Sequence, residues 1–424
     1  MPVAGFILAF LSIMYLSMKK VSIARVMFLG TVIMALASGM GPSQVTGTVW
    51  TAFKDRATLE LAGAVLAIGI FSTVMKEFSF LGRTVNGLTV FLGNVKAAIM
   101  SVPALIGSMP VLGGAALSAP LVDKLGDSLD LSPDKKAAAN LAFRHGTMFI
   151  FPFSPGIILA SKLTGFPVSA LLSRLWPMSV AIWGIGYLAL LRKARPASLA
   201  SPGGVSRGQT AAAGSPSVRT QSRLEGLGEF LLYGGPLIAA LIFGLVLKWP
   251  LWLSLAAGTA LACGLALVQR KPVPPVKTLL NGANLTQVAG MFWIMSFKAF
   301  VTASPVFPSL IAKATTKGVS PALMAILIPL AFGYGSASQT TTIGVLMPPL
   351  VPASIPGAAR LYMACLVYAS SFTSYFFSPL HMCQVLTCQY FKVDILRVYK
   401  LNWPILAGLG AVVATYYVLI GRLM

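Results

Sequence analysis

The feature that most constrains this chain is a succession of ten apolar stretches, each sized to cross about 30 Å of hydrocarbon as a helix rising about 1.5 Å per residue. They are Val3–Met18, Ser22–Met40, Leu59–Met75, Ala137–Leu163, Val168–Leu191, Gly226–Leu247, Leu251–Val268, Leu285–Ala303, Leu361–Leu386 and Asn402–Ile420. A soluble core cannot absorb them all. Of 424 residues, 56% are hydrophobic and only 10% charged, against roughly 25% charged in soluble domains. Lipid is therefore the solvent for most of the chain, and the expected fold is an all-α polytopic membrane protein. The net charge of +22 is spread between the apolar runs, which points to membrane topology and away from a nucleic-acid partner. The four cysteines show no paired spacing, which argues against a disulfide framework or a zinc site.

Two further apolar stretches, about 97–122 and 321–351, are interrupted midway by small, polar and Pro residues. Arms of only about 10–13 residues suit re-entrant hairpins better than spans. Hairpin tips of this kind must be buried against protein or water, because irregular backbone cannot face lipid. With neither hairpin crossing, Lys19, Lys20, Lys76, Arg83, Lys96, Lys135, Lys136, Arg192, Lys193 and Lys271 share one face, which the positive-inside rule makes cytoplasmic. Both termini are then expected outside the cytoplasm. Lys19 and Lys20 follow the first apolar run instead of preceding it, the reverse of a cleavable signal peptide, so that run reads as a retained span.

The halves repeat. Sliding the sequence along itself sets Ala62-Gly63 against Ala289-Gly290, and Ala119-Pro120-Leu121-Val122 against Pro348-Pro349-Leu350-Val351. Phe153-Ser154-Pro155 falls against Phe377-Ser378-Pro379. Each half reads as three spans, a hairpin, one long span carrying Ser-Pro near its middle, and a final span. Five crossings per half is an odd number, so the second half enters from the opposite side. The organisation is residues 1–192 as a first inverted repeat, 193–225 as a flexible basic cytoplasmic linker rich in Ala, Ser, Gly and Pro, and 226–424 as a second inverted repeat.

This layout resembles the ion transporter superfamily of arsenite efflux proteins, sodium/proton antiporters and carboxylate carriers. The words Met109-Pro110-Val111-Leu112-Gly113-Gly114-Ala115, Asn140-Leu141-Ala142-Phe143-Arg144-His145 and Phe153-Ser154-Pro155-Gly156 are similar to a prokaryotic integral membrane protein family of unknown function within it. The resemblance implies a protein of the prokaryotic inner membrane, with a scaffold part, a mobile transport part moving in an elevator-like manner, and a homodimer held through scaffold helices. Carboxylate carriers of the superfamily place Ser-Asn-Thr type words at the hairpin tips. Here the tips read Gly107-Ser108-Met109-Pro110 and Gly335-Ser336-Ala337-Ser338-Gln339-Thr340, and the first departs from that pattern.

Interrupting a helix exposes free N–H groups at one half and free carbonyls at the other, so a broken span can hold an anion or a cation. The breaks are expected within Phe151–Gly156, where two prolines remove donors, and within Ser374–Pro379. Arg144 and His145 lie about two turns into the fourth span, where a charge costs roughly 2.5–3.5 kcal/mol. Arg144 reads as an anion ligand or as a donor that orients a hairpin tip; the alternative is snorkelling or pairing with Asn140. His381, the other histidine, closely follows the second break, and either histidine can carry a coupling proton. The candidate substrate set is Ser108, Met109, Pro110, Gly113, Gly114, Asn140, Arg144, His145, Ser154 and Pro155 from the first half. Ser336, Ser338, Gln339, Thr340, Ser374, Ser378 and Pro379 complete it from the second. A coupling ion would draw on Ser108, Ser154, Ser338, Thr340, Thr373, Ser378 and His381.

Only Glu60 among the carboxylates begins a span outright, so a relay of paired buried acids is hard to build. Sodium held by carbonyls and hydroxyls needs no carboxylate; no other cofactor is expected. HExxH, GxSxG in a strand-to-helix context and GxxxxGK[ST] are absent, so neither catalytic residues nor self-driven ATP hydrolysis are expected. These readings converge on a secondary active transporter of a small anion, an organic carboxylate or similar, coupled to sodium or protons, with its substrate, its ion, membrane lipids and a second copy of itself as partners. Three alternatives stay open. One is a cation/proton antiporter on the same fold, with Arg144 structural; another is a membrane-embedded enzyme on a lipid-linked substrate, for which buried acids are scarce; the third is a non-transporting interaction or assembly protein, which leaves the paired breaks unexplained.

Overall fold

A computed structural model describes residues 2–108, 114–194, 222–272, 274–304 and 306–423, and every regular element among them is helical. The first half contributes α1 (Pro2–Met18), α2 (Ile23–Ala37), α3 (Pro42–Lys54), α4 (Arg56–Glu77), α5 (Phe80–Leu92), α6 (Val95–Ser108), α7 (Gly114–Asp127), α8 (Pro133–His145), α9 (Pro155–Thr164) and α10 (Val168–Gly186). The second contributes α11 (Arg223–Leu241), α12 (Leu251–Val268), α13 (Val276–Gly282), α14 (Leu285–Ala303), α15 (Val306–Thr316), α16 (Pro321–Ser336), α17 (Gln339–Leu350), α18 (Gly357–Phe376), α19 (Met382–Phe391) and α20 (Ile395–Leu423). Most of the expected linker lies outside the described residues. Its last residues open α11 through a capping box, in which Ser222 Oγ accepts from Glu225 N at 3.2 Å and Glu225 Oε2 accepts from Ser222 N at 2.8 Å.

Among the described residues, six helices are long and apolar enough to cross a membrane: α4, α10 and α11 with their π-turn extensions, α12, α14 and α20. The other four expected spans differ in kind. α1 and α2 are apolar but shorter. The remaining two are interrupted: α8 runs into a 3-10 turn at Gly146–Phe149 and α9 restarts at Pro155, while α18 stops at Phe376 and α19 restarts at Met382. The second interruption falls later than the expected Ser374–Pro379, because Ser374 stays in the last turn of α18 with its hydroxyl bonded to Ser371 O and Pro329 O, both at 3.1 Å. Pro379 has no N–H for the Tyr375 carbonyl, which accepts from Ser378 N at 3.2 Å instead.

Short mixed-polarity segments read as connections are also helical. α5 crosses α11 so closely that a Cβ on Gly87 would lie 2.5 Å from Phe230 N, and one on Gly226 2.7 Å from Phe91 N. Glycine alone permits that approach. The end of α15 meets α16 at 114°.

In chain order, each half carries a hairpin, α6–α7 and α16–α17, followed by an interrupted pair, α8–α9 and α18–α19. The packing exchanges halves in the same way. α4 lies on α12 as α14 lies on α2, and α9 lies on α17 as α19 lies on α7. α10 lies on α18 as α20 lies on α8. Beneath the interruptions, Phe149 packs edge-on to Phe372 at 4.4 Å and to Tyr368 at 5.8 Å, so the two broken spans are joined by buried aromatic rings. Leu36, Leu224 and Val268 stand about four-fifths exposed on the outside, as suits a lipid-facing surface.

Candidate functional site

α6 packs along α8, and at their ends the approach is closest at Gly107. A Cβ on Gly107 would lie 2.4 Å from the Arg144 carbonyl oxygen and 2.8 Å from Arg144 Cγ, so only glycine lets the hairpin arm reach the arginine backbone. The counterpart contact is Gly333 on α16, where a Cβ would lie 2.2 Å from Ser374 Oγ of α18. Two further anchors hold the first hairpin's other arm. Asn140 Nδ2 donates to Ala115 O and to Thr387 Oγ1, both at 3.2 Å, joining α8 to α7 and α19. Lys136 Nζ, buried at the start of α8, is paired with Asp123 at 2.7 Å and with Asp127.

This framework encloses a cavity of about 110 Å³ whose lining includes Ser108, Arg144, His145, Ser154 and Pro155 from the sequence-derived set. Arg144 is 8% exposed, makes no ion pair among the described residues, and its Nη1 has no hydrogen-bond partner. Asn140 is bonded elsewhere, so the expected Arg144–Asn140 pairing is not formed. Ser154 caps α9 with Pro155 at its first position, and the Ser154 hydroxyl is buried without a partner. Arg144 and the N-terminus of α9 thus border one small cavity, and a guanidinium and a helix N-terminus both favour negative charge.

His145 Nδ1 lies 2.8 Å from Leu141 O. Since a carbonyl only accepts, Nδ1 carries the hydrogen and Nε2 presents its lone pair. The His145 ring stands edge-on to His381 at 4.9 Å, and Tyr375 lies 4.0 Å from His381. The chain's two histidines therefore meet although they come from different halves. Tyr375 and Cys383 line the same cavity; sequence reading had singled out neither, and no local word marks them.

The second-half residues are arranged differently. Ser338 caps α17, accepting from Thr341 N at 3.2 Å; Ser336 Oγ pairs with Thr342 Oγ1 at 3.1 Å, and Thr340 is half-buried. Thr373 donates to Ala369 O, while Ser378 donates to Tyr334 O at 2.8 Å and so ties the second interruption to α16. Pro379 is exposed. None of these lines the Arg144 cavity. Gln339 packs against the first interruption: a Cβ on Gly156 would lie 3.4 Å from Gln339 Oε1, and neither amide atom has a partner. Gly114 opens α7, and Met109, Pro110 and Gly113 lie outside the described residues.

A larger cavity of about 370 Å³ opens beside α4, α9 and α12. There Glu60 already pairs with Lys162 and, at 2.8 Å, with Arg56. Lys298 Nζ donates to Lys162 O at 3.4 Å. An acid is therefore already in place among the cations of that cavity, whereas Arg144 has none among the described residues.

A family model described as protein of unknown function (DUF401) matches residues 4–203 and 218–420. No curated protein matches the sequence. Among solved structures, the YdaH transporter of Alcanivorax borkumensis, described as having an unusual topology, is similar over 90% of this chain and 88% of its own. The TM-score is 0.56 at 14% identity, a likeness of fold.

Proposed function

The chain belongs to the DUF401 family over nearly its whole length, and from that premise and the fold it shares with a transporter we propose that it is a secondary active transporter of a small anion. The observation that carries this reading is Arg144: a residue only 8% exposed that lines a cavity and carries a buried guanidinium nitrogen without a hydrogen-bond partner. A hydrogen bond to a charged group contributes about 1.5–3 kcal/mol, and a buried charged donor left unpaired loses more than that. A bound anion supplies the missing acceptor.

In this reading the two halves are inverted repeats of five crossings each, with both termini outside the cytoplasm of a prokaryotic inner membrane. The exchanged packing of α4 on α12 and α14 on α2 supports it. The anion sits between Arg144 and the Ser154 end of α9, at the first interruption. A cavity of about 110 Å³ has room for several waters at about 30 Å³ of liquid volume each, which suits an anion of a few heavy atoms. Sodium at the hydroxyls around α16–α17, or a proton on the paired histidines, is the coupling ion, and the hairpins move with the broken helices as an elevator.

The test is thermal unfolding of the purified protein against carboxylates, sulfonates and inorganic oxyanions, each in sodium and in potassium buffer. Binding to the folded state alone contributes RT ln(1 + [L]/Kd), about 2.7 kcal/mol at a hundredfold excess. One anion should raise the transition, more so in sodium, and the rise should vanish in Arg144→Ala. If no anion acts while sodium, lithium or pH alone does, the anion reading falls and cation exchange takes its place.

A further inference from the structure

We propose that His145, His381 and Cys383 form a binding site for a thiophilic metal ion of the zinc, cobalt and cadmium class, at the junction of the two broken helices. Their ligand atoms all lie within 4.8 Å of one another. An ion at the centre of a triangle of that size would stand about 2.8 Å from each, against about 2.0–2.1 Å for Zn–N and 2.3 Å for Zn–S. Each ligand atom therefore has to move by less than about 0.8 Å.

The surroundings are those that metal-binding imidazoles have. His145 donates its Nδ1 hydrogen to Leu141 O at 2.8 Å, the outer-shell contact that fixes a ligand's tautomer and turns Nε2 outward as the donor. His381 is 1% exposed and neither of its nitrogens has a partner. A buried polar ring with nothing to bond is costly, and a metal ion satisfies it. Tyr375 at 4.0 Å and the edge contact with His145 hold the His381 ring in place. Cys383 adds a thiolate. Two imidazoles with a thiolate select borderline and soft ions over sodium, magnesium or calcium, which take oxygen ligands.

Three protein ligands leave one tetrahedral position open. His145 and Cys383 line the same cavity as Arg144, so the open position is available to water or to an anion held by the arginine. The ligands come from α8 in one half and from the start of α19 in the other, so the ion would tie the two interruptions together.

The proposal does not rest on the anion reading, because it is tested with no added anion. The purified full chain is titrated with Co²⁺ under reducing conditions, and visible ligand-field bands and the near-ultraviolet thiolate-to-cobalt band are recorded. Wild type should develop both. Cys383→Ser should lose the charge-transfer band, His381→Ala should weaken binding on the order of tenfold or more, and Cys388→Ser should change neither. A wild-type spectrum of aqueous cobalt alone, or a charge-transfer band that survives Cys383→Ser, overturns the site. A readout that needs no variant is alkylation of wild-type Cys383, followed by mass spectrometry, with and without Zn²⁺. Protection is expected, and equal labelling refutes the proposal.

Discussion

Replacing Gly107 by Ala tests whether the hairpin arm positions Arg144. The new methyl would lie 2.4 Å from the Arg144 carbonyl oxygen and 2.8 Å from its Cγ. The first of these is a backbone atom and cannot rotate away, so α6 and α8 must separate by roughly 1 Å to restore ordinary contact. Overpacking of this kind costs about 1–3 kcal/mol, offset by up to about 1 kcal/mol for removing a glycine from a helix. Net destabilisation should be about 1–2 kcal/mol. The larger effect should fall on binding, since sites tolerate about 0.5 Å of displacement. A tenfold weaker Kd removes about 1.4 kcal/mol of the ligand-induced stabilisation. The assay is thermal unfolding with and without the anion, beside Gly184→Ala in α10, where a Cβ meets nothing within 4 Å. Gly184→Ala should be neutral or slightly stabilising and keep the full anion response. Indistinguishable behaviour of the two variants would refute the argument.

Three further outcomes can be checked by the same means. Arg144→Lys keeps the charge but loses the fork that binds an oxyanion through two nitrogens, so it should retain stability and bind at least tenfold more weakly in a ligand titration. Lys136→Met should cost no more than about 1 kcal/mol, because Asp123 and Asp127 are accessible to water. Asp123→Asn with Asp127→Asn strands a buried cation and should cost more, toward the lower part of about 3–5 kcal/mol; equal losses in the two would contradict this asymmetry. Asn140→Leu leaves the Ala115 carbonyl and the Thr387 hydroxyl without a donor and should cost about 1–3 kcal/mol. Adding Thr387→Val should cost less than the sum of the two single changes, as contacting residues do.

The all-α membrane architecture was legible without any structure because lipid solvation is decided locally: uncharged runs of sufficient length have no other place to go. The prolines at 152, 155 and 379 likewise announced interrupted helices, since a missing N–H and a steric clash act on the turn just before the proline. The amphipathic α5 and α15 were not legible, because short segments of mixed polarity become helices through packing, α5 by lying on α11 through Gly87 and Gly226. Arg144 was recognisable as an expensive residue in an apolar run, but its want of a partner depends on Asn140 turning to Ala115 and Thr387 instead. The meeting of His145 with His381 and Cys383 belongs wholly to tertiary structure. Their proximity arises because two broken spans, far apart in the chain, are joined beneath their interruptions by the buried rings of Phe149, Tyr368 and Phe372, and no local spacing encodes where such a junction puts the side chains above it.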